Sequence, residues 1–205
     1  MTSKLWLSKH KLVLASRSRA RQTMLIRAGI PIEVIHPAVD ERGLQRNAGS
    51  DASPEMIALM LASAKALAVA DSMAGRLVLG SDQILDLDGN ICNKVADRTS
   101  ARRRLQNLSG RMHKLHSAYS FARDGVVLRS GVVSAQLSVR TMSDEFIDNY
   151  LDVRGPEVLD SVAVYEIEGL GVQMFDSVDG DWFTIQGLPL NDVMAFLRDE
   201  GCLLR

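Results

Sequence analysis

Between Lys11 and Ile35 the hydropathy pattern changes period twice, and few folds accommodate that order. Lys11–Ala15 (KLVLA) is a short apolar run of the kind that forms a buried strand. Polar residues follow, and then a helical spacing sets Met24, Leu25 and Ala28 on one face until Gly29 and Pro31 end it. Ile32–Ile35 is a second apolar run. Strand, polar turn, helix and strand in that order are an α/β signature.

The rest of the chain extends the pattern. Arg42–Asp51 is polar, contains two glycines and reads as a loop. Ser53-Pro54-Glu55 is a helix start, with Ser as cap, Pro at the first helical position and Glu at the positive end; that helix should run to about Ala70. A third strand begins at Arg76–Gly80 and continues toward Leu87, where Asp88-Gly89 signals a hairpin. Thr99 is a candidate cap for a helix over Ser100–Leu108. Strands are expected at Lys114–Phe121 and Val126–Thr141, joined at Asp124-Gly125. Ser143 should cap a helix carrying Phe146, Ile147, Tyr150 and Leu151 in one stripe. A strand near Val172–Ser177, a turn at Asp179-Gly180 and a helix capped by Asn191 complete a mixed sheet flanked by helices.

Composition narrows the function. The chain has 205 residues and a formal net charge of −1, so no global basic field points to DNA or RNA, and any anionic ligand must be met by cations gathered locally. The two cysteines, Cys92 and Cys202, lie far apart and suggest neither a zinc ribbon nor a redox pair. The N-terminus lacks a signal-peptide run, and the most apolar stretch, near Met56–Ala70, is interrupted by Ser63 and Lys65. A cytoplasmic protein without a membrane span is expected.

Several residues have the chemistry for a polyanion. Ser16, Ser18, Arg19 and Arg21 lie where a strand passes into a helix, a place where backbone N–H groups, hydroxyls and guanidinium groups collect an anion. Taken alone, the segment reads first as a Ser-capped helix with solvated arginines. Asp82, in GSDQ, stands at the end of an apolar strand, suited to a metal or an attacking water, or to a plain turn. Asp40-Glu41 follows another strand region; converging with Asp82 it would suit Mg²⁺ or Mn²⁺, which favour oxygen ligands. Lys65 interrupts an apolar helix, either snorkelling to water or reaching into a cleft. Lys94 follows a hairpin and is by default exposed. His113 and His116 are oddly spaced in a strand and face opposite ways, so they cannot share a metal. The Ala101–Arg104 run reads as a solvated helix face.

Together these pieces resemble the Maf family of nucleotide pyrophosphatases. The resemblance rests on LASRSRAR at 14–21, VDE at 39–41, AKA at 64–66, GSDQ at 80–83, NK at 93–94, LSGRMH at 108–113, EGLG at 168–171 and GLPL at 187–190. Each is unspecific; in this order over most of the chain they are highly specific.

The resemblance implies cleavage of nucleoside triphosphates to the monophosphate and pyrophosphate with a divalent cation: Mg²⁺, Mn²⁺ or Co²⁺. It implies one domain over residues 1–205, two lobes sharing a sheet around a cleft, similar to inosine triphosphatases, and often a homodimer. Asp82 matches the catalytic acid/base, and Glu41, Lys65 and Lys94 match charged residues of the cleft. Glu41 and Asp82 are the implied metal ligands, and Ser16, Ser18 and Arg21 the phosphate-side loop. Ala20, Gln83 and Glu168 occupy three positions that sort substrates. Gln83 and Glu168 resemble the branch acting on 7-methylguanosine triphosphate, and a carboxylate can accept from both N1–H and N2–H₂ of guanine. The chain departs from the pattern at Ala20, where that branch has an aromatic, and at Arg19, Val95 and Ala163; Trp182 is a candidate replacement aromatic. The rival readings are an inosine or xanthosine triphosphate house-cleaning enzyme and a non-catalytic nucleotide-binding regulator of cell division.

Overall fold

The structure, a computed structural model, describes residues 4–49 and 51–205. Its elements in order are β1 (Leu12–Ala15), α1 (Arg19–Arg27), β2 (Ile32–Ile35), α2 (Glu41–Asn47), α3 (Pro54–Ala70), β3 (Val78–Leu87), β4 (Asn90–Cys92), α4 (Arg98–Leu108), β5 (Met112–Arg123), β6 (Val126–Val139), α5 (Asp144–Arg154), β7 (Phe175–Asp179), α6 (Trp182–Ile185) and α7 (Leu190–Asp199). Two 3₁₀ segments, Gly155–Asp160 and Leu170–Met174, lie between α5 and β7.

The strands form one seven-stranded sheet in the order β2-β1-β3-β5-β6-β7, with β4 pairing the far end of β3. β1 runs parallel to β2 and β3, and the remaining pairs are antiparallel, so the expected mixed sheet is present. Two lengths set the position of the functional site. β1 pairs with β3 only over Val13–Ala15 against Val78–Gly80, and β4 rejoins β3 at Leu85. Between these, Ser81–Ile84 pair only with β5, so one side of that stretch has no neighbouring strand. Asp82 therefore stands mid-strand, in a gap in the sheet, and not at a strand tip as its sequence context suggests.

Alternation along β3 sends its side chains to two different layers. Val78 and Ile84 pack with α3 through Ala66, Val69, Ile57 and Leu61. The opposite face carries two apolar clusters. One joins Leu79 and Tyr119 to α1 and α7 through Met24, Leu25, Val193 and Leu197. The other joins Leu85 and Leu115 to α4 and α5 through Leu105, Leu108, Ile147 and Leu151. Between the two clusters the same strands place Ser81, Gln83 and Ser117, a polar belt across an otherwise apolar face.

Local signals explain most element ends. Ser53 and Ser143 accept from the N–H of Met56 and Phe146 as caps of α3 and α5. Asp88-Gly89 and Asp124-Gly125 form the hairpin turns with left-handed φ at all four residues. Four expectations need correction. The expected loop at Arg42–Asp51 contains α2, because Asp40 Oδ1 caps it at Gly43 N (2.9 Å) and the dipole favours Glu41 in its first turn. α4 starts at Arg98, since Asp97 rather than Thr99 is the cap. The strand expected near Val172–Ser177 starts at Phe175, after the 3₁₀ turn. α7 begins at Leu190 behind Pro189, and Asn191 instead donates to Asp181. Among the described residues, no helix is long and apolar enough to cross a membrane.

Candidate active site

Lys65 lies in an apolar helix because its charge has two acidic partners, one of them buried. Its Nζ lies 2.5 Å from Asp82 Oδ1 and 2.9 Å from Glu41 Oε1. The contact depends on close packing of α3 on β3. A Cβ at Gly80 would fall 2.2 Å from the carbonyl oxygen of Ala62 and 2.6 Å from the nitrogen of Ala66, so only glycine admits the helix backbone this close. Asp40 contributes its carboxylate to the α2 cap, which leaves Glu41, half-exposed, as the acid that reaches Lys65.

Arg21 is the second buried cation. Its Nε donates to Gly187 O (2.7 Å), and its Nη1 donates to Ser81 O (2.9 Å) and Ser16 Oγ (3.2 Å). One guanidinium thereby ties α1 to the unpaired edge of β3 and to the turn between α6 and α7. Ser16 and Ser18 shape this turn: Ser16 Oγ also accepts from Ser18 N, and Ser18 Oγ caps α1 at Arg21 N. Ala20 is half-buried one residue before Arg21, and Arg19 is exposed.

Electrostatics bind these groups into one site. Burial pushes the Asp82 carboxyl above its ordinary range, against the pull of Lys65 and Arg21. Burial lowers Arg21, opposed by Asp82 and Glu41. Lys94, an exposed residue, is lowered first by reduced hydration among protein atoms and then by the positive charge of Arg21; Asp160 and Glu41 act against this. The Ala101–Arg104 run is only partly a solvated face: Arg104 donates to Asn93 O and Val162 O, both at 2.9 Å, and so holds the segment carrying Lys94 against the segment leading to Glu168.

Glu41, Lys65 and Asp82 thus form one ion-paired set, and Arg21 and Lys94 lie within electrostatic reach of it. Gln83 joins through the other face of β3, where its Nε2 donates toward Ile185 O (3.0 Å), Ser117 Oγ (3.0 Å) and Thr184 O (3.2 Å). Glu168 is exposed in the turn before Leu170, apart from this bonded set. Val95 packs against the α4–α5 cluster, and Ala163 is buried there; the left-handed residue of that stretch is its neighbour Val164, at φ +62°. The histidines diverge as their spacing requires: His113 meets Tyr165 and His116 meets Ser134 and Asp86. Sequence reasoning missed the carbonyls of Ser81 and Gly187, together with Ser117 and Thr184, which hold the site's side chains. Ser81 and Gly187 lay within quoted motifs, GSDQ and GLPL, whereas Ser117 and Thr184 lay in none. Two surface concavities, about 210 and 250 Å³, lie elsewhere, beside Tyr150 and His116.

A mixed α/β sheet with cations and carboxylates gathered at a gap between strands defines a protein equipped to hold a polyanion. The family model for Maf-like proteins matches residues 11–200, and the chain belongs to that family. A Rhodopseudomonas palustris relative called nucleoside triphosphate pyrophosphatase is 48% identical over 97% of this chain and 98% of its own length. A Mesorhizobium japonicum relative called 7-methyl-GTP pyrophosphatase is 45% identical over 94% of this chain and 98% of its own. The solved Staphylococcus aureus Ham1 protein is similar at 15% identity and a TM-score of 0.43, covering 93% of this chain and 100% of that one.

Proposed function

We propose that this chain hydrolyses nucleoside triphosphates between the α and β phosphates, releasing the monophosphate and pyrophosphate. One observation carries the reading: Lys65 is buried between Asp82 and Glu41, with Arg21 and Lys94 close enough to feel the same charges. Asp82 takes a proton from a water whose oxygen attacks the α-phosphorus, and the bond from that phosphorus to the bridging oxygen breaks. A carboxyl raised by burial is a stronger base than an ordinary one, which suits it to this task. Lys65, Lys94 and Arg21 hold the triphosphate and balance the charge of the departing pyrophosphate.

Glu41 and Asp82 supply oxygen ligands of the kind Mg²⁺, Mn²⁺ or Co²⁺ takes alongside substrate phosphates, since each carboxylate has an oxygen beyond the one facing Lys65. Such an ion, when bound, would neutralise phosphate charge. A homodimer working in the cytoplasm belongs to the same proposal, and sedimentation tests the dimer.

For the base, 7-methyl-GTP is the preferred candidate. Gln83 and Glu168 support it, as does the name of the Mesorhizobium relative. The deciding experiment is pyrophosphate release with each metal across ordinary, 7-methylated, inosine and xanthosine triphosphates. Asp82→Asn should stay folded and lose about a hundred- to ten-thousandfold in kcat. An unimpaired Asp82→Asn enzyme, or a pure protein that binds nucleotide without releasing pyrophosphate, would overturn the proposal.

A further inference from the structure

Beyond Ile84, the α3 side of the sheet carries polar residues that the proposed hydrolysis does not use. Ile84 pairs with His116 and His116 with Ser134, so these three share one face across β3, β5 and β6. Asp86, Lys114, Gln136 and Asp179 form the next row on that face. His116 is 0% exposed, and both ring nitrogens have partners: Nδ1 lies 2.7 Å from Ser134 Oγ, and Nε2 lies 3.3 Å from Asp86 Oδ2. The acid fixes where the protons sit. Asp86 Oδ1 accepts from the N–H of Gly89 at 2.6 Å, which leaves Oδ2 to the ring. A carboxylate oxygen only accepts, so in the neutral ring Nε2 carries the proton. Nδ1 is then the acceptor, and the Ser134 hydroxyl donates to it.

Serine, imidazole and carboxylate in this order form a relay that makes a hydroxyl nucleophilic, here with the two ring nitrogens in exchanged roles. Ser134 is exposed and lines a concavity of about 250 Å³ together with Glu55, Lys114 and Gln136. We propose that Ser134 is the nucleophile of a second site, separate from the phosphate site, that cleaves small carboxylic esters. Ser134 Oγ bonds to the acyl carbon while its proton passes to Nδ1 of His116. The bond from the acyl carbon to the alkoxy oxygen breaks, and the proton leaves with the alcohol. Water then attacks the acyl-serine, its proton passes through Nδ1 to Ser134 Oγ, and the carboxylic acid departs. Glu55 Oε1, 3.4 Å from Nδ1, steadies the ring while it holds both protons. Lys114 and Gln136 bring N–H donors to the concavity for the carbonyl oxygen as it gains charge. The charges set the substrate class: Glu55, Asp179 and the adjoining Asp86 outweigh Lys114, which disfavours phosphates and admits neutral esters.

A fluorophosphonate probe and p-nitrophenyl acetate test the site on the full chain. The probe should form one adduct, in which a bond from Ser134 Oγ to phosphorus replaces the phosphorus–fluorine bond, and peptide mass spectrometry should place it on Ser134. Ser134→Ala should take no label and lose nitrophenol release, with its urea midpoint and its pyrophosphate release unchanged. His116→Gln should slow labelling and nitrophenol release by about a hundred- to ten-thousandfold. Asp86→Asn isolates the positioning role of Asp86. Its amide oxygen can still accept from Gly89, which turns its NH₂ toward the ring, so the ring proton moves to Nδ1 and Ser134 loses its base. Labelling should then slow by on the order of a hundredfold or more. Nitrogen NMR should show the protonated nitrogen of His116 change from Nε2 to Nδ1, a signature that a merely structural aspartate would not produce. A wild-type chain that takes no label, or takes it elsewhere, would overturn the proposal, as would nitrophenol release that survives Ser134→Ala. If Ser134→Ala does not fold, the position of the wild-type adduct and the His116→Gln rates decide the matter.

Discussion

Gly80→Ala is the most informative single substitution, because it replaces one hydrogen by a methyl group at the contact that positions Lys65. The new Cβ would lie 2.2 Å from Ala62 O and 2.6 Å from Ala66 N, both backbone atoms that no rotamer change can move. Ordinary packing needs more than 3 Å, so α3 must retreat by about 1 Å, and overpacking of this kind costs about 1–3 kcal/mol. Lys65 lies between Ala62 and Ala66 on the same helix, so its 2.5 Å contact with Asp82 opens toward about 3.5 Å, outside good hydrogen-bond range. Misplacement by about 1 Å can cost on the order of a hundredfold in rate. Urea unfolding should therefore show a lower midpoint, equivalent to a stability loss of about 1–3 kcal/mol. At temperatures where the variant is fully folded, its kcat should fall by about ten- to hundredfold, with a smaller change in KM. A Gly80→Ala protein that is fully folded and turns over at the wild-type rate would refute the claim that backbone approach of α3 sets the Lys65–Asp82 geometry.

Four further outcomes follow from the charges and from the anchoring role of Arg104. The acid limb of the kcat/KM–pH profile should lie above the ordinary aspartate range, because Asp82 must be ionised and burial raises it; Lys65→Met, removing the charge that opposes the rise, should move the limb further up. The alkaline limb should fall below the ordinary lysine value of 10.5, because lowered Lys94 loses its charge early; Lys94→Arg should push that limb to higher pH. His113, 2% exposed, has its pKa pushed down from 6.5 to about 4 by burial, so the unfolded chain binds its proton first. Stability is then fully present above about pH 6.5 and declines as pH falls toward 4, by up to about 3 kcal/mol, and chemical denaturation of His113→Gln should lose that part of the slope. Arg104→Ala, which releases Asn93 O and Val162 O, should raise KM through Lys94 while leaving the pH limb set by Asp82 in place, a combination that steady-state kinetics across pH reads directly.

What could be read ahead of the structure divides by the range of the interaction. Ser53-Pro54, Asp88-Gly89 and Asp124-Gly125 act within a few residues, and each does what its chemistry prescribes. The α2 segment was hidden because its helix contributes no fully buried residue, so no apolar stripe marks it, and Gly43 reads as a breaker although its N–H is the one that Asp40 caps. Lys65 was legible as an anomaly, a cation within an apolar helix, but its partner lies seventeen residues on, across a helix–strand contact that Gly80 permits. Asp82 stands in a gap of the sheet and not at the strand tip that its sequence context suggests. A strand tip is a local idea, whereas the gap around Asp82 exists because β1 stops opposite Gly80 and β4 pairs with β3 only from Leu85 onward, a register that no short window contains. The same holds for Arg21. Its serines could be found beside it, but the carbonyls of Ser81 and Gly187 that anchor it are main-chain groups, which every residue type carries. The acids and bases of this site were therefore visible as residue types, and what remained invisible was the backbone that aims them. A variant that alters only backbone approach, such as Gly80→Ala, accordingly probes what composition and motif leave open, and a variant that alters charge, such as Lys65→Met, probes what they disclose.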